Sequence, residues 1–228
     1  ECCGERDGDE DGGRGTGAMV DALNADPGTV VWSVGDVFPD RVERAIKQFE
    51  SMAADRVMAP ADRRFVGFDA YQKVIDSGVD IVILTAPPGF RPIHLDAAIK
   101  AGKHVFMEKP VAVDAPGIRS VIASAELAQQ KKLNIVAGTQ RRHALDYRET
   151  MDRILNGDIG EVVATYGYWI QGGLWMVKRE PNMSDMEWQL RNWLYFAWLS
   201  GDHIVEQHVH NLDIANWGCP RVGEQPFD

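Results

Sequence analysis

Cysteine is scarce in this chain of 228 residues, and its placement excludes more than its number does. Cys2 and Cys3 are adjacent and Cys219 lies near the far end, so no pair has the spacing of a metal-binding knuckle. An odd count of three also speaks against a disulfide framework. Long apolar runs are missing: nothing approaches the roughly 20 residues that cross a bilayer, and no membrane partner is expected. Residues 1–12 are acidic and lack the apolar centre of a secretory leader. Basic charge is in deficit, with 24 Lys and Arg against 34 Asp and Glu and a net charge of −10. A protein whose main partner is nucleic acid needs a basic face, so that class is excluded as well. Much of the negative excess sits in Glu1, Glu5, Asp7, Asp9, Glu10 and Asp11.

What remains is ordinary for a folded globular chain: 45% hydrophobic and 25% charged residues. The length suits one large domain or two small ones. From residue 15 to residue 138, helix-like and strand-like segments alternate. Helices are expected over Gly15–Ala25, Arg41–Ala53, Ala70–Ser77 (with Asp69 as N-cap), Pro92–Ala101, and from the Asp114 cap through Lys131. Apolar strand candidates are Thr29–Val34, Phe65-Val66, Asp80–Thr85, His104–Met107 and Asn134–Ala137. Such alternation predicts βαβ units and an α/β fold, a doubly wound parallel sheet covered on both faces. Beyond residue 138 the pattern changes. A helix is expected over His143–Asn156 and a half-buried strand over Glu161–Ile170. Six of the seven tryptophans then fall between Trp169 and Trp217. The division expected is an anomalous acidic tail at 1–11, a dinucleotide-binding domain at 12–138, and a shortened α+β substrate domain at 139–228.

The first helix opens on Gly12-Gly13-Arg14-Gly15-Thr16-Gly17. Glycines here let the backbone approach a pyrophosphate at a helix N-terminus. Gly12 and Gly15 fit the second and third glycines of G-x-G-x-x-G, while Glu10 occupies the place of the first. No strand can be read in residues 1–11, which should carry the central first strand of the sheet. Its loss would leave a hole between the strands at 29–34 and 80–85. The tail is therefore read either as an error such as a shifted reading frame or as a disordered acidic segment. Asp36 ends the next strand, where an acid binds the adenosine ribose hydroxyls and favours NAD over NADP.

The stretch from Asp80 to Pro110, DIVILTAPPGFRPIHLDAAIKAGKHVFMEKP, closely resembles the glucose–fructose oxidoreductase / inositol dehydrogenase / MocA (Gfo/Idh/MocA) family. Thr85, Pro87, His94, Ala101 to Val105 and Glu108-Lys109-Pro110 match in order, and the resemblance extends over residues 12–217. It implies a Rossmann-type cofactor domain and a nicotinamide-dependent dehydrogenase acting on a sugar, sugar derivative or cyclitol. Lys109 then handles the substrate hydroxyl proton, and Glu108 lies on the cofactor side. Gly12, Gly13, Arg14, Gly15, Asp36, Thr85, Pro87, His94, Glu108 and Gln140 are the expected cofactor contacts. The Lys109-Pro110 bond is expected to be cis. Farther on, Gly201–Asp213 (GDHIVEQHVHNLD) resembles the family's G-G-x-x-x-D-x-G-x-H-x-x-D helix. His210 falls on its histidine and Asp213 on its last acid; Glu206 stands where Asp is usual, and His208 where Gly is. On a continuous helix Glu206 and His210 would share one face, leaving Glu206 to orient His210 or to bind a hydroxyl. Lys109, Arg142, Asp213 and His210 are the candidate substrate contacts, although Arg141 and Arg142 read equally well as a solvated basic turn.

No metal is expected: His203, Glu206, His208 and His210 match neither H-E-x-x-H nor H-x-x-E-H. The tryptophans could stack on sugars, but Trp188, Leu190, Trp193, Leu194, Ala197 and Trp198 recur at helical spacing, which favours core or a subunit interface. Two other readings stand beside the dehydrogenase: a glycoside hydrolase of the same family that uses bound NAD, and a non-catalytic gene fragment. Full-length relatives are expected to be homo-oligomers. Localisation stays open between the cytoplasm and export, because the resemblance also reaches a branch that commonly carries a twin-arginine signal.

Overall fold

The computed structural model describes residues 13–219. Gly12, the acidic tail and the last nine residues lie outside that range, and so do the expectations that fall on them. Helix α1 (Gly13–Ala25) leads to strand β1 (Val34–Asp36), α2 (Pro39–Ala53), β2 (Arg64–Val66), α3 (Ala70–Asp76), β3 (Ile81–Leu84), α4 (Arg91–Lys100), β4 (His104–Met107), α5 (Ala115–Lys131) and β5 (Ile135–Ala137). The later part is helical: α6 (Leu145–Leu155), α7 (Asp185–Arg191), α8 (Ala197–Ser200), α9 (Asp202–Glu206) and α10 (Val209–Gly218).

All the strand pairings are parallel, as alternating apolar strands and crossover helices dictate. The strands form two sheets, β1-β2 and β3-β4-β5, with no hydrogen-bonded strand joining them among the described residues. The break falls where the sequence leaves a strand unaccounted for. Helices cover the strands through narrow apolar stripes. In α2 the buried residues are Val42, Ile46, Phe49 and Ala53, at spacings of four, three and four. Around β3 and β4 the core is Val82, Leu84, Leu95, Ile99, Val105 and Met107, with Leu95 and Ile99 fully buried.

Some local expectations shift. The first described strand begins later than Thr29–Val34, at Val34, and Val31 keeps only one isolated bridge, to Val57. Asp114 accepts a hydrogen bond from the Gly117 amide at 2.7 Å and so caps α5. Asp69 takes the N-cap position of α3 as expected but makes no side-chain cap bond; its carboxylate pairs with Lys73 one turn on, at 2.8 Å. Glu161–Ile170 forms no strand. Its alternating apolar side chains have no sheet to lie on, and Val163 and Ile170 are 89% and 92% exposed. The tryptophan-rich stretch is not one helix either. Asn192, 1% exposed, turns its amide onto the main chain of Val177 and Trp188, and the helix stops there. Helix α6 starts at Leu145, two residues later than expected, because a 3₁₀ turn (Gln140–Arg142) precedes it.

Candidate active site

The C-terminal ends of β3, β4 and β5 lead into Thr85, Glu108-Lys109 and Gln140, and α1, β1, α9 and α10 carry others that the sequence singles out. α1 approaches β3 so closely that a Cβ on Gly15 would sit 2.6 Å from Thr85 Oγ1. Only glycine permits that contact, as the third position of the glycine pattern requires. Gly13 has φ +67 in open space, and Arg14 follows it in the exposed first turn. Asp36 ends β1 and accepts the Phe38 amide at 2.9 Å. Burial holds the Asp36 carboxyl above the usual range, against the pull of that amide and of Arg41. A half-buried carboxylate at the end of β1 and a glycine-lined helix start facing Thr85 fit the ribose and pyrophosphate of a dinucleotide.

At the end of β4, the Lys109-Pro110 bond is cis. Lys109 reaches across to α9, where Nζ donates to Glu206 Oε1 and to the Glu206 main-chain oxygen, each at 2.6 Å. Both side chains are less than 10% exposed. Glu206 Oε2 is buried with no hydrogen-bond partner. Glu108 lies over β5's end: a Cβ on Gly138 would stand 2.9 Å from Glu108 Oε2. The expected continuous helix over Gly201–Asp213 breaks at Gln207-His208, between α9 and α10. Glu206 therefore engages Lys109 rather than sharing one helix face with His210, which begins the next helix. Asp202, at the second glycine of the resembled pattern, adopts φ +63.

His210 is 6% exposed. Burial first, then the charges of Lys109, Arg141 and Arg14, hold its pKa down to about 4, while Asp213 opposes them. The imidazole is therefore neutral at physiological pH. The Trp169 ring stacks on it, with centroids 5.9 Å apart and planes at 19°. Arg142 and Asp213, both expected to touch substrate, are committed to each other: Nε and Nη2 of Arg142 meet the carboxylate at 2.8–3.1 Å. Arg141 donates to Asn211 Oδ1 at 2.9 Å and lies over the rings of Tyr147 and Trp169. The two arginines are thus held in place, not a free solvated turn. Gln140 is exposed in the 3₁₀ turn. Pro87 lies in the turn after β3, where its carbonyl accepts the Phe90 amide at 3.0 Å. His94 is stacked on Tyr71 and Phe90, and burial followed by the charge of Arg91 holds its pKa down to about 4.

Arg91 escaped the sequence reading. Its guanidinium, 2% exposed, donates to the carbonyl oxygens of Ala86, Glu108 and Pro110. Burial lowers its pKa to about 10, so it stays charged. One cation thereby ties the turn after β3 to the turn that carries Lys109. Its only sequence signal is an arginine inside an otherwise apolar helix start.

A parallel α/β sheet with this glycine start, acid and lysine turn defines a dinucleotide-binding unit of the Rossmann class. The family described as "Oxidoreductase family, NAD-binding Rossmann fold" (Gfo/Idh/MocA) matches residues 16–137, and the chain belongs to it. It is 27% identical over 187 residues to an inositol 2-dehydrogenase/D-chiro-inositol 3-dehydrogenase of Lactiplantibacillus plantarum, covering 82% of this chain and 44% of that protein. Over 96 residues it is 38% identical to an inositol 2-dehydrogenase of Azotobacter vinelandii, covering 41% of this chain and 27% of that protein. The fold is shared with myo-inositol 2-dehydrogenase from Lactobacillus plantarum, at TM-score 0.60, 19% identity, and 88% and 52% of the two chains. It is shared too with scyllo-inositol dehydrogenase from Lactobacillus casei, solved with NAD(H) and scyllo-inositol, at TM-score 0.57, 20% identity, and 89% and 53% coverage. The chain spans about half the length of the relatives it matches across most of its own residues. No helix among the described residues is long and apolar enough to cross a membrane.

Proposed function

We propose that the protein is an NAD-dependent dehydrogenase of a sugar or cyclitol hydroxyl, with Lys109, His210 and Glu206 handling the proton. The observation that carries this reading is the state of the Glu206 carboxylate: one oxygen on Lys109, the other buried and unpartnered. An ammonium has three donors. Two are committed to Glu206, which leaves one N–H to hold the oxygen of a substrate alcohol. The free Oε2 suits a second hydroxyl on the same substrate, as a polyol offers and a simple alcohol does not. Neutral His210 can accept the proton that leaves the hydroxyl. Lys109, held in place by Glu206, steadies the negative charge that develops on oxygen.

NAD, when bound, supplies the hydride acceptor. The residues proposed to hold it are Gly12, Gly13, Arg14 and Gly15 at the pyrophosphate, Asp36 at the adenosine ribose, and Thr85, Pro87, His94, Glu108 and Gln140 towards the nicotinamide half. Asp36 favours NAD, because a 2′-phosphate would meet its carboxylate. On this reading the cofactor unit ends near residue 138, and the later segment contributes Glu206 and His210. The test is calorimetric titration of the chain with NAD and NADP, followed by absorbance at the reduced-nicotinamide band with myo-inositol and common hexoses. Saturable NAD binding that is tighter than NADP, and turnover abolished by Lys109→Met, are expected. Absence of dinucleotide binding refutes the proposal.

A further inference from the structure

Beside the proton-handling residues lies a cavity of about 250 Å³, lined by Trp169, Leu194, Tyr195, His203, Gln207 and His208 among others. We propose that this cavity is a second sugar-ring subsite, so that the preferred substrate is a glycoside or oligosaccharide and not a free monosaccharide or cyclitol. The inference rests on the dehydrogenase reading above and names the substrate class of that same site.

The wall shared with the reaction centre is Trp169. Its ring stacks on His210 and also borders the cavity. The floor is shared as well. α9 delivers Glu206 to Lys109, the Gln207-His208 break lines the cavity, and α10 returns with His210. Glu206 and His210 on the reaction side thus flank Gln207 and His208 on the cavity side, so the two compartments adjoin along one short stretch of chain.

The lining fits a pyranose. A sugar ring has apolar C–H faces and a rim of hydroxyls, so it needs aromatic or aliphatic surface together with side chains that both donate and accept. Trp169, Leu194 and Tyr195 supply the surface. His203 and His208 each use Nδ1, towards Asp202 and the His203 carbonyl, and their Nε2 atoms have no protein partner among the described residues. The Gln207 amide likewise has none there. The volume falls below the roughly 300–1,000 Å³ of sites for drug-sized ligands, which suits one ring and not a second dinucleotide. Among the described residues no group of three or more His, Cys, Asp or Glu is placed to hold a metal ion.

The test uses the NAD-loaded chain and calorimetry with glucose, galactose, cellobiose, maltose, lactose and the p-nitrophenyl glucosides and galactosides. At least one disaccharide or aryl glycoside should bind about tenfold tighter than its parent monosaccharide, the gain expected of one stacked ring with its hydrogen bonds. Leu194→Trp fills the cavity, and the paired His203→Ala, His208→Ala change strips its rim; either should bring that ratio close to one. Circular dichroism melts establish that each variant is folded. A parent that binds monosaccharides at least as well as every glycoside overturns the subsite, and so does a folded Leu194→Trp variant that keeps the preference. If NAD itself does not bind, the dehydrogenase reading fails and the subsite with it, a result distinguishable from the other two.

Discussion

The Lys109–Glu206 pair joins residues 97 positions apart and is a buried polar tie between the cofactor unit and the segment after residue 138. Glu206→Gln keeps the shape and removes the charge. Removing one partner of a buried pair costs about 3–5 kcal/mol, because the other is left without a counter-charge. Here the side chains are 9% and 8% exposed, but Lys109 retains the Glu206 main-chain oxygen, so the lower end applies, about 3 kcal/mol. For a chain of this size that corresponds to a melting temperature lowered by roughly 6–12 °C. Lys109→Met alone strands the carboxylate and should cost a similar amount. The double variant removes both charges, so it should lie well above the sum of the singles, with a coupling of about 2 kcal/mol. Urea unfolding followed by tryptophan fluorescence measures all four proteins. A coupling below about 0.5 kcal/mol would mean that the two groups do not meet in a buried pair, and the proton-handling scheme built on them would fall.

Arg91→Met should destabilise the fold by several times the roughly 1.5–3 kcal/mol of a single charge-assisted hydrogen bond, less the relief of burying a charge; a melting temperature unchanged from the parent refutes the clamp. His94 and His210 have native pKa values near 4 against 6.5 for free histidine, so the unfolded chain binds protons first. Stability is therefore complete above pH 6.5 and falls as pH drops towards 4; His94→Phe should flatten that slope in urea midpoints across the window. Gly89→Ala would drive a Cβ into the Trp198 carbonyl and disturb the Gly89 N–H bond to Leu199 at 2.9 Å. The expected cost is about 1–3 kcal/mol, with faster hydrogen exchange in α8 as the reading that separates local detachment from global unfolding.

Features that depend on short-range patterns were legible in the sequence. The β3–α4–β4 unit follows from its apolar runs, and the Asp114 cap from a single side chain. The meeting of Lys109 with Glu206 was not. Sequence spacing put Glu206 on one face with His210, whereas the main chain breaks at Gln207-His208 and turns the carboxylate towards β4. Glu161–Ile170 alternates as a strand does, yet alternation needs a neighbouring strand to hydrogen-bond with, and none is present among the described residues. The tryptophan stripe hid its own interruption, because an asparagine that seals its amide against main-chain groups looks in sequence like any polar residue. Arg91 was invisible for the opposite reason: its three acceptors are main-chain oxygens, which leave no mark on composition or spacing.

That same choice of acceptors governs how the turn around Lys109 tolerates change. Every amino acid carries a carbonyl, so Arg91 grips the path of the chain at positions 86, 108 and 110 and not the identity of what is mounted there. Exchanging Glu108 therefore leaves all three hydrogen bonds of Arg91 in place and removes only the carboxylate charge that favours the buried guanidinium. A library at position 108 varies the side chain proposed to face the cofactor on a fixed main-chain mount, which makes this turn an engineering handle for altering cofactor preference separately from the chemistry proposed for the neighbouring lysine.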